Sequence, residues 1–372
     1  MDRSITRRGI LTGACGGITS ALAGCTSVVP GMGTGDGDGD TETATRQFDQ
    51  SETFIGMLYA TSGLDDDSFN DMANRGVKLA RVRHGIEYKN AVPETVDQIQ
   101  ALQTEYAKST NPQFDLTVCI GFLQQEPLTK TAKEYSDQKF MLVDAVVDRD
   151  NVANYVFKEH EGSFQVGVLA GSLTSQGFSA GAGQTRVDRK TVGFVGGIES
   201  DLIKKFEAGF MAGAKYADED VEVLREYVGS FSDVEAGRQA AQSMYDEGAD
   251  IVYHAAGGTG VGVFQAAQEN GRFAIGVDSD QSETDPRYAN VILASMVKRV
   301  DTAVFNAIDT IEKGEFDGGS VQSLGLDRNG LEVAYGNVVG PEIPELAKLQ
   351  VDDTRFKIVN GEIDVPTTPE AV

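Results

Sequence analysis

From Phe54 onward the chain alternates short apolar runs with stretches long enough for a helix, and it does so in two rounds. The first round reads as strands at "TFIGMLYA", "FDLTVCIGF", "KFMLVDAVV" and "ANYVFK". After a Gly/Ser/Gln-rich passage at 171–190 the pattern restarts with "KTVGFVGG", "VEVLREYV", "ADIVYHAAGG" and "RFAIGVDSD". Strands separated by a helix of sequence are the mark of parallel pairing, because a parallel neighbour needs a crossover of a dozen or more residues. The pattern predicts an α/β protein of two doubly wound, Rossmann-like lobes. At 372 residues the chain is long enough for two cores, since single cores stop growing near roughly 250–300 residues. A helix is expected over "DSFNDMANRGVKLARVRHG", capped at Asp67 or Ser68.

Ligands of such sheets bind beyond the carboxyl ends of the strands. Several polar or glycine-rich clusters fall at that edge: Asp65 to Asn70, Asp144, Gly196-Gly197, Gly257-Gly258 and Asp278. With two lobes, they are expected to face one interlobe ligand cleft.

The glycine-rich turn at 257–262 invites a phosphate reading, and the residues around it refuse one. Gly257 and Gly262 have the spacing of a Walker A loop, but Val263-Phe264 stand where Lys and Ser/Thr are required. Gly258-Thr259-Gly260 would need glycine at 263 for a dinucleotide fingerprint and finds valine. What glycine still offers is close backbone approach to a neutral ligand, or simply a tight strand-to-helix turn. Catalytic signatures are equally sparse. His84, His160 and His254 are the only histidines, and no HExxH or CxxC arrangement occurs.

The net charge of −25 argues against nucleic acid as a partner and fits a surface solvated in high salt. The N-terminus, "MDRSITRRGILTGACGGITSALAGC", has a basic start, a short and weakly apolar stretch, and a cysteine. Thr6-Arg7-Arg8-Gly9-Ile10-Leu11 resembles a twin-arginine export signal, and Leu22-Ala23-Gly24-Cys25 resembles a lipobox. Residues 1–24 are therefore expected to be removed and Cys25 to be acylated, anchoring an exported protein to the outer face of the cell membrane. That cleavage takes away three arginines and one aspartate and carries the net charge from −25 to −27. Residues 25–51 read as a Gly/Asp/Thr tether. Asp36, Asp38 and Asp40 alternate with glycines there but lack the closing glutamate of an EF-hand loop, so no metal is expected. Of the three cysteines, Cys15 lies in the signal and Cys119 in an apolar run, which leaves no disulfide framework.

Five segments share a further likeness: "GLDDDSFND" at 63–71, "VGFVGGIESDLIKKFEAGFMAGAKY" at 192–216, "VYHAAGGTGVGVFQAA" at 252–267, "AIGVDSDQ" at 274–281 and "ASMVKRVD" at 294–301. In order and over nearly the whole domain, the chain resembles the basic membrane protein family of PnrA-like purine nucleoside receptors. The resemblance implies a type I periplasmic-binding-protein fold, a nucleoside in the cleft, delivery to an ABC permease and ATPase, no cofactor, and a monomer. It implies lobes at 52–160 plus 295–327 and at 190–292 plus 330–350, crossings near 157–190, 290–297 and 325–335, and a C-terminal tail at 351–372. A surface sensor or adhesin without transport, or a nucleoside-cleaving enzyme, stands as the alternative.

The same resemblance implies the site. Asp66 and Asn70 would address the purine edge, with an Asx turn or helix cap as the alternative reading of Asp66. Phe206 would stack on the base, with Phe210 in the core; unaided, both read as core. Asp278 and Lys298 would clamp the ribose, Asp144 would complete the polar set, and Gly257 and Gly258 would approach the sugar. Without the resemblance, Lys298-Arg299 reads as a solvated helix face. Many relatives carry an aromatic residue near position 74, where this chain has Asn74, so the second ring is unassigned.

Overall fold

The computed structural model describes residues 53–372. The segments expected to be a signal (1–24), a lipid anchor (Cys25) and a tether (25–51) lie outside the described residues.

In chain order the elements are β1 (Phe54–Leu58), α1 (Phe69–His84), β2 (Glu87–Ala91), α2 (Ile99–Lys108), β3 (Leu116–Ile120), α3 (Gln125–Glu134), β4 (Phe140–Val143), β5 (Val152–Phe157) and α4 (Glu159–Thr174). A small ribbon, β6 (Ser179–Ala180) and β7 (Gly183–Gln184), leads to β8 (Thr191–Gly196), α5 (Asp201–Ala217), β9 (Glu222–Tyr227), α6 (Val234–Glu247), β10 (Ile251–Ala255) and α7 (Gly260–Asn270). The chain continues with β11 (Phe273–Asp278), α8 (Gln281–Thr284), β12 (Ile292–Lys298), α9 (Val300–Glu312), β13 (Val321–Leu324), β14 (Leu331–Tyr335) and α10 (Glu345–Val359).

Two six-stranded sheets result, in the orders β13-β5-β4-β3-β1-β2 and β14-β12-β11-β10-β8-β9. The first is parallel throughout; in the second only β14 runs antiparallel, against β12. Inner strands such as β3, "LTVCI", are buried at every residue, as expected of a sheet covered on both faces. Cys119 lies in that strand, fully buried, and burial pushes its thiol well above the ordinary range.

The chain passes between the lobes three times. It leaves the first sheet after Phe157 and enters α4, which packs on α5 of the second lobe. This passage is shorter than the span 157–190 expected from sequence, because α4 is itself part of the second lobe. Its sequence explains why: Gly167 and Gly171 face Gly209 and Gly213 of α5, and a Cβ at any of the four would fall 2.0–2.4 Å from backbone oxygen of the other helix. Only glycine permits that approach. The second passage follows Lys298, since β12 pairs along its length with strands of the second sheet while α9 packs on α1 of the first lobe. A boundary at 295 would cut through β12. The third runs between β13 and β14. Within the tail, α10 packs on α4.

Candidate functional site

Where the carboxyl ends of the two sheets face each other, they enclose a cavity with about 700 Å³ of open space. Asp144, Phe206, Gly257, Asp278 and Lys298 line it, as do Thr61, Ser62, Phe69, Phe122 and Phe231. Asp66, Asn70 and Gly258 are not on its wall. None of the three histidines lines it either.

The polar floor is built by strand ends. Lys298 is the last residue of β12 and is 1% exposed, so the reading of a solvated helix face is corrected on both counts. Seven consecutive buried residues in β12, flanked by strands on both sides, explain the difference. The Lys298 ammonium lies 2.6 Å from one oxygen of Asp144 and 2.7 Å from the other, and 3.2 Å from Glu159. Rings of Phe157, Phe69 and Phe206 surround it at 4.9, 5.1 and 5.7 Å. Burial alone would lower its proton affinity, but Asp144, Glu159 and Asp278 outweigh burial and hold it above the ordinary lysine range. Burial raises the Asp278 carboxyl to about 6, with Lys298 and the Ser68 hydroxyl pulling the other way. Burial also raises Asp144, opposed chiefly by Lys298.

Both floor aspartates have left-handed backbones, with φ of 71° at Asp144 and 66° at Asp278, as do Asp65 (64°) and Asp67 (50°). L-residues seldom adopt this region, aspartate less reluctantly than most, and it persists where surrounding structure fixes it. Asp144 and Asp278 line the cavity, while Asp65 and Asp67 lie in the loop before α1.

The loop before α1 shows what Asp66 and Asn70 do. Ser68 occupies the N-cap position, but its hydroxyl does not cap the helix. Asp66 takes that role, accepting from the amides of Ser68, Asn70 and Asp71 at 3.0–3.2 Å. Burial pushes its carboxyl up to about 7 against the pull of those amides. Asn70 accepts from the Ala60 amide and donates to the Ser62 hydroxyl and the Gly63 carbonyl. Ser62 in turn donates to Asp66. Asp66 and Asn70 thus stand behind the wall and fix the hydroxyl of Ser62, which is on it.

The freed Ser68 hydroxyl crosses between the lobes and donates to Asp278 at 2.7 Å. Beside it the Asp67 carbonyl accepts from Ser279 at 2.6 Å, Thr284 at 3.2 Å and Gln281 at 3.3 Å, all from the second lobe. Phe122 and Phe231, one from each lobe, meet edge to face at 6.4 Å. The lobes are in contact around the cavity.

The glycine turn resolves into separate duties. Gly257, with φ of 53°, brings backbone to the cavity wall. Gly260 lies over the His254 ring, 2.0 Å from where a Cβ would stand, and Gly262 admits the backbone of α6 at the same distance. His254 is fully buried, contacts Gln281 through Nε2 at 2.9 Å, and is lowered to about 4 by burial.

Sequence reasoning missed Ser62 and Glu159, and it placed Ser68 and Phe69 in the cleft-edge cluster Asp65 to Asn70 without giving either a role toward a ligand. Phe69 lay within the quoted "SFN", next to a residue already chosen, and it brings a second ring to the cavity. Asn74 is buried elsewhere, accepting from the Tyr59 hydroxyl. Phe210 packs against Phe194 and Tyr253 in the core, away from the cavity.

Among the described residues no cluster of His, Cys, Asp and Glu is arranged to hold a metal ion, and no helix is long and apolar enough to cross a membrane. Residues 54–369 match the family model described as "ABC transporter substrate-binding protein PnrA-like". The chain is 31% identical to a protein of Lactococcus lactis named ABC transporter nucleoside-binding protein BmpA, over 82% of this chain and 87% of that one. It is 33% identical to an uncharacterized lipoprotein of Pyrococcus abyssi, over 79% and 72%. Its fold matches the crystal structure of an ABC transporter system solute-binding protein from Aeropyrum pernix, with a TM-score of 0.76 at 29% identity over 85% of this chain and 93% of that one. The fold is the type I periplasmic-binding-protein fold, and the chain belongs to the PnrA-like family of ABC transporter substrate-binding proteins.

Proposed function

We propose that the cleft binds a purine nucleoside and that the protein delivers it to an ABC permease and its ATPase. The observation that carries this reading is one cavity that joins an apolar, ring-bearing wall to a floor of carboxylates and one ammonium. Phe69 and Phe206 take the faces of the base, a type of contact worth roughly 1–3 kcal/mol per base. Asp278 accepts from the vicinal ribose hydroxyls, and Lys298, which donates to Asp144, offers a remaining donor to the sugar. Gly257 lets backbone approach the same sugar, with Gly258 behind it. Asp66 and Asn70 act on the base edge through Ser62, which they hold at the wall.

The charge balance selects the ligand. Asp144, Asp278 and Glu159 outnumber Lys298, so a neutral ligand rich in donors is favoured and a phosphate is repelled. The name of the Lactococcus relative supports a nucleoside. We place the mature protein outside the cell as a monomer, exported by its twin-arginine segment, anchored through acylated Cys25 and adapted to high salt; the lipoprotein name of the Pyrococcus relative supports the anchor.

Calorimetry on the mature, ligand-free domain in high salt tests the reading, using nucleosides, free bases, nucleotides and simple sugars. Purine nucleosides are expected to bind and their monophosphates not to. A response to sugars or nucleotides with none to nucleosides would overturn it.

A further inference from the structure

Glu159, the first residue of α4, is fully buried and does not line the cavity. Neither of its oxygens accepts a hydrogen bond; they face the ammonium groups of Lys298 at 3.2 Å and Lys205 at 3.7 Å. A carboxylate is expensive to bury, so its presence one shell behind the ligand surface calls for a physical role.

The two closest carboxylates of Lys298 are anchored differently. Asp144 follows β4 and belongs to the first lobe. Glu159 belongs to the second through α4, which is locked to α5 by four glycines and to β12 at Gly162, where a Cβ would fall 2.8 Å from the Met296 sulfur. Lys298 ends β12 itself. Lobe opening, the usual motion of two-lobed binding proteins, would part Lys298 from Asp144 and leave Lys298 and Glu159 together.

We propose that Glu159 is a positioning residue that keeps the Lys298 ammonium charged and aimed into the cleft whether the lobes are open or closed. Ligand then meets a cation already in place, and the cost of ordering one on binding is avoided. The assignment rests on reading the cleft as a nucleoside site. The charged groups facing Lys298 are Asp144 from the turn after β4, Glu159 from α4 and Asp278 from β11, while Lys205 of α5 faces Glu159 from its other side. Without Glu159, an open lobe would leave Lys298 beside the Phe206 ring of its own lobe with Asp278 as its remaining carboxylate.

The test titrates Lys298 in ligand-free protein through its Cε resonance after 13C-lysine labelling, assigned with Lys298→Arg, in the wild type, Glu159→Gln, Glu159→Asp and Lys205→Met. In Glu159→Gln the ammonium is expected to lose its proton at least about one pH unit earlier than in the wild type, a tenfold change in proton affinity. Glu159→Asp should fall between them, and Lys205→Met should not move it earlier. Inosine binding should weaken about tenfold or more in Glu159→Gln, with the loss growing at alkaline pH, and recover in part in Glu159→Asp. An unmoved Lys298 titration in either folded Glu159 variant would overturn the proposal. So would a Lys205→Met variant that reproduces the Glu159→Gln loss, because the carboxylate would then serve only a structural ion pair. If Glu159→Gln does not fold, Glu159→Asp and Lys205→Met still decide. Should the wild type bind no nucleoside, the functional reading fails, whereas the ligand-free titration still judges Glu159.

Discussion

Asp144 and Asp278 hold equivalent places in the two lobes. Each stands at the carboxyl end of the third strand from the same side of its sheet, each has a buried side chain, and each has a left-handed backbone. Their partners differ in kind. Asp144 meets an ammonium from the other lobe, whereas Asp278 meets the neutral hydroxyl of Ser68. Topology thus supplies two symmetric positions for a carboxylate, and the facing residue decides what each does. The Asp144 side is an ion pair, costly to break from either end; the Asp278 side keeps its carboxylate free of a direct counter-ion and able to accept from a ligand.

The sharpest way to break this contrast is Lys298→Met, which leaves Asp144 and Glu159 buried without their shared cation. Denaturant unfolding at neutral pH should show a loss of about 3–5 kcal/mol, together with loss of nucleoside binding. Asp278→Asn should do the opposite to the fold. With its carboxyl raised to about 6, the native state holds the Asp278 proton more tightly than the unfolded chain, so stability falls as pH rises from the ordinary carboxylate range through about 6. The asparagine variant removes that penalty, gaining on the order of 3 kcal/mol above that window and little below it, while nucleoside affinity drops more than about tenfold. A pH series of unfolding curves for both proteins checks the crossing. Ser68→Ala removes one hydrogen bond to a charged group and should cost about 1–3 kcal/mol. Thr284→Ala should cost less than about 1 kcal/mol, because Ser279 and Gln281 still donate to the Asp67 carbonyl. Equal losses in these two variants, read by the same unfolding assay, would show that the Asp278 contact carries no special weight.

Much of this was legible in the sequence. Apolar runs spaced by helices foretold the two wound sheets, and Asp144, Phe206, Gly257, Asp278 and Lys298 all reached the cavity because strand ends converge there. β2, "EYKNA", escaped notice because an edge strand carries polar residues and loses its apolar pattern. Lys298 was misread unaided because a Lys-Arg pair resembles a solvent face, and nothing local reveals three carboxylates arriving from distant segments. Asp66 shows the same limit in reverse: its alternative reading as a helix cap describes the amides it accepts from, while its link to the cavity runs through Ser62. Glu159 lies outside the five segments that carried the family resemblance, and only the packing of α4 brings it beneath Lys298.

The three passages between lobes also fix an order of synthesis. β13 completes the first sheet and β14 the second, so both sheets wait for the chain between residues 321 and 335. A ribosome that has released residues 1–320 has released neither lobe whole. Sheets whose last strands come from so far along the chain form slowly, with their edges open until then. The lobes are finished together, late, and neither can be cut from the chain as a complete unit.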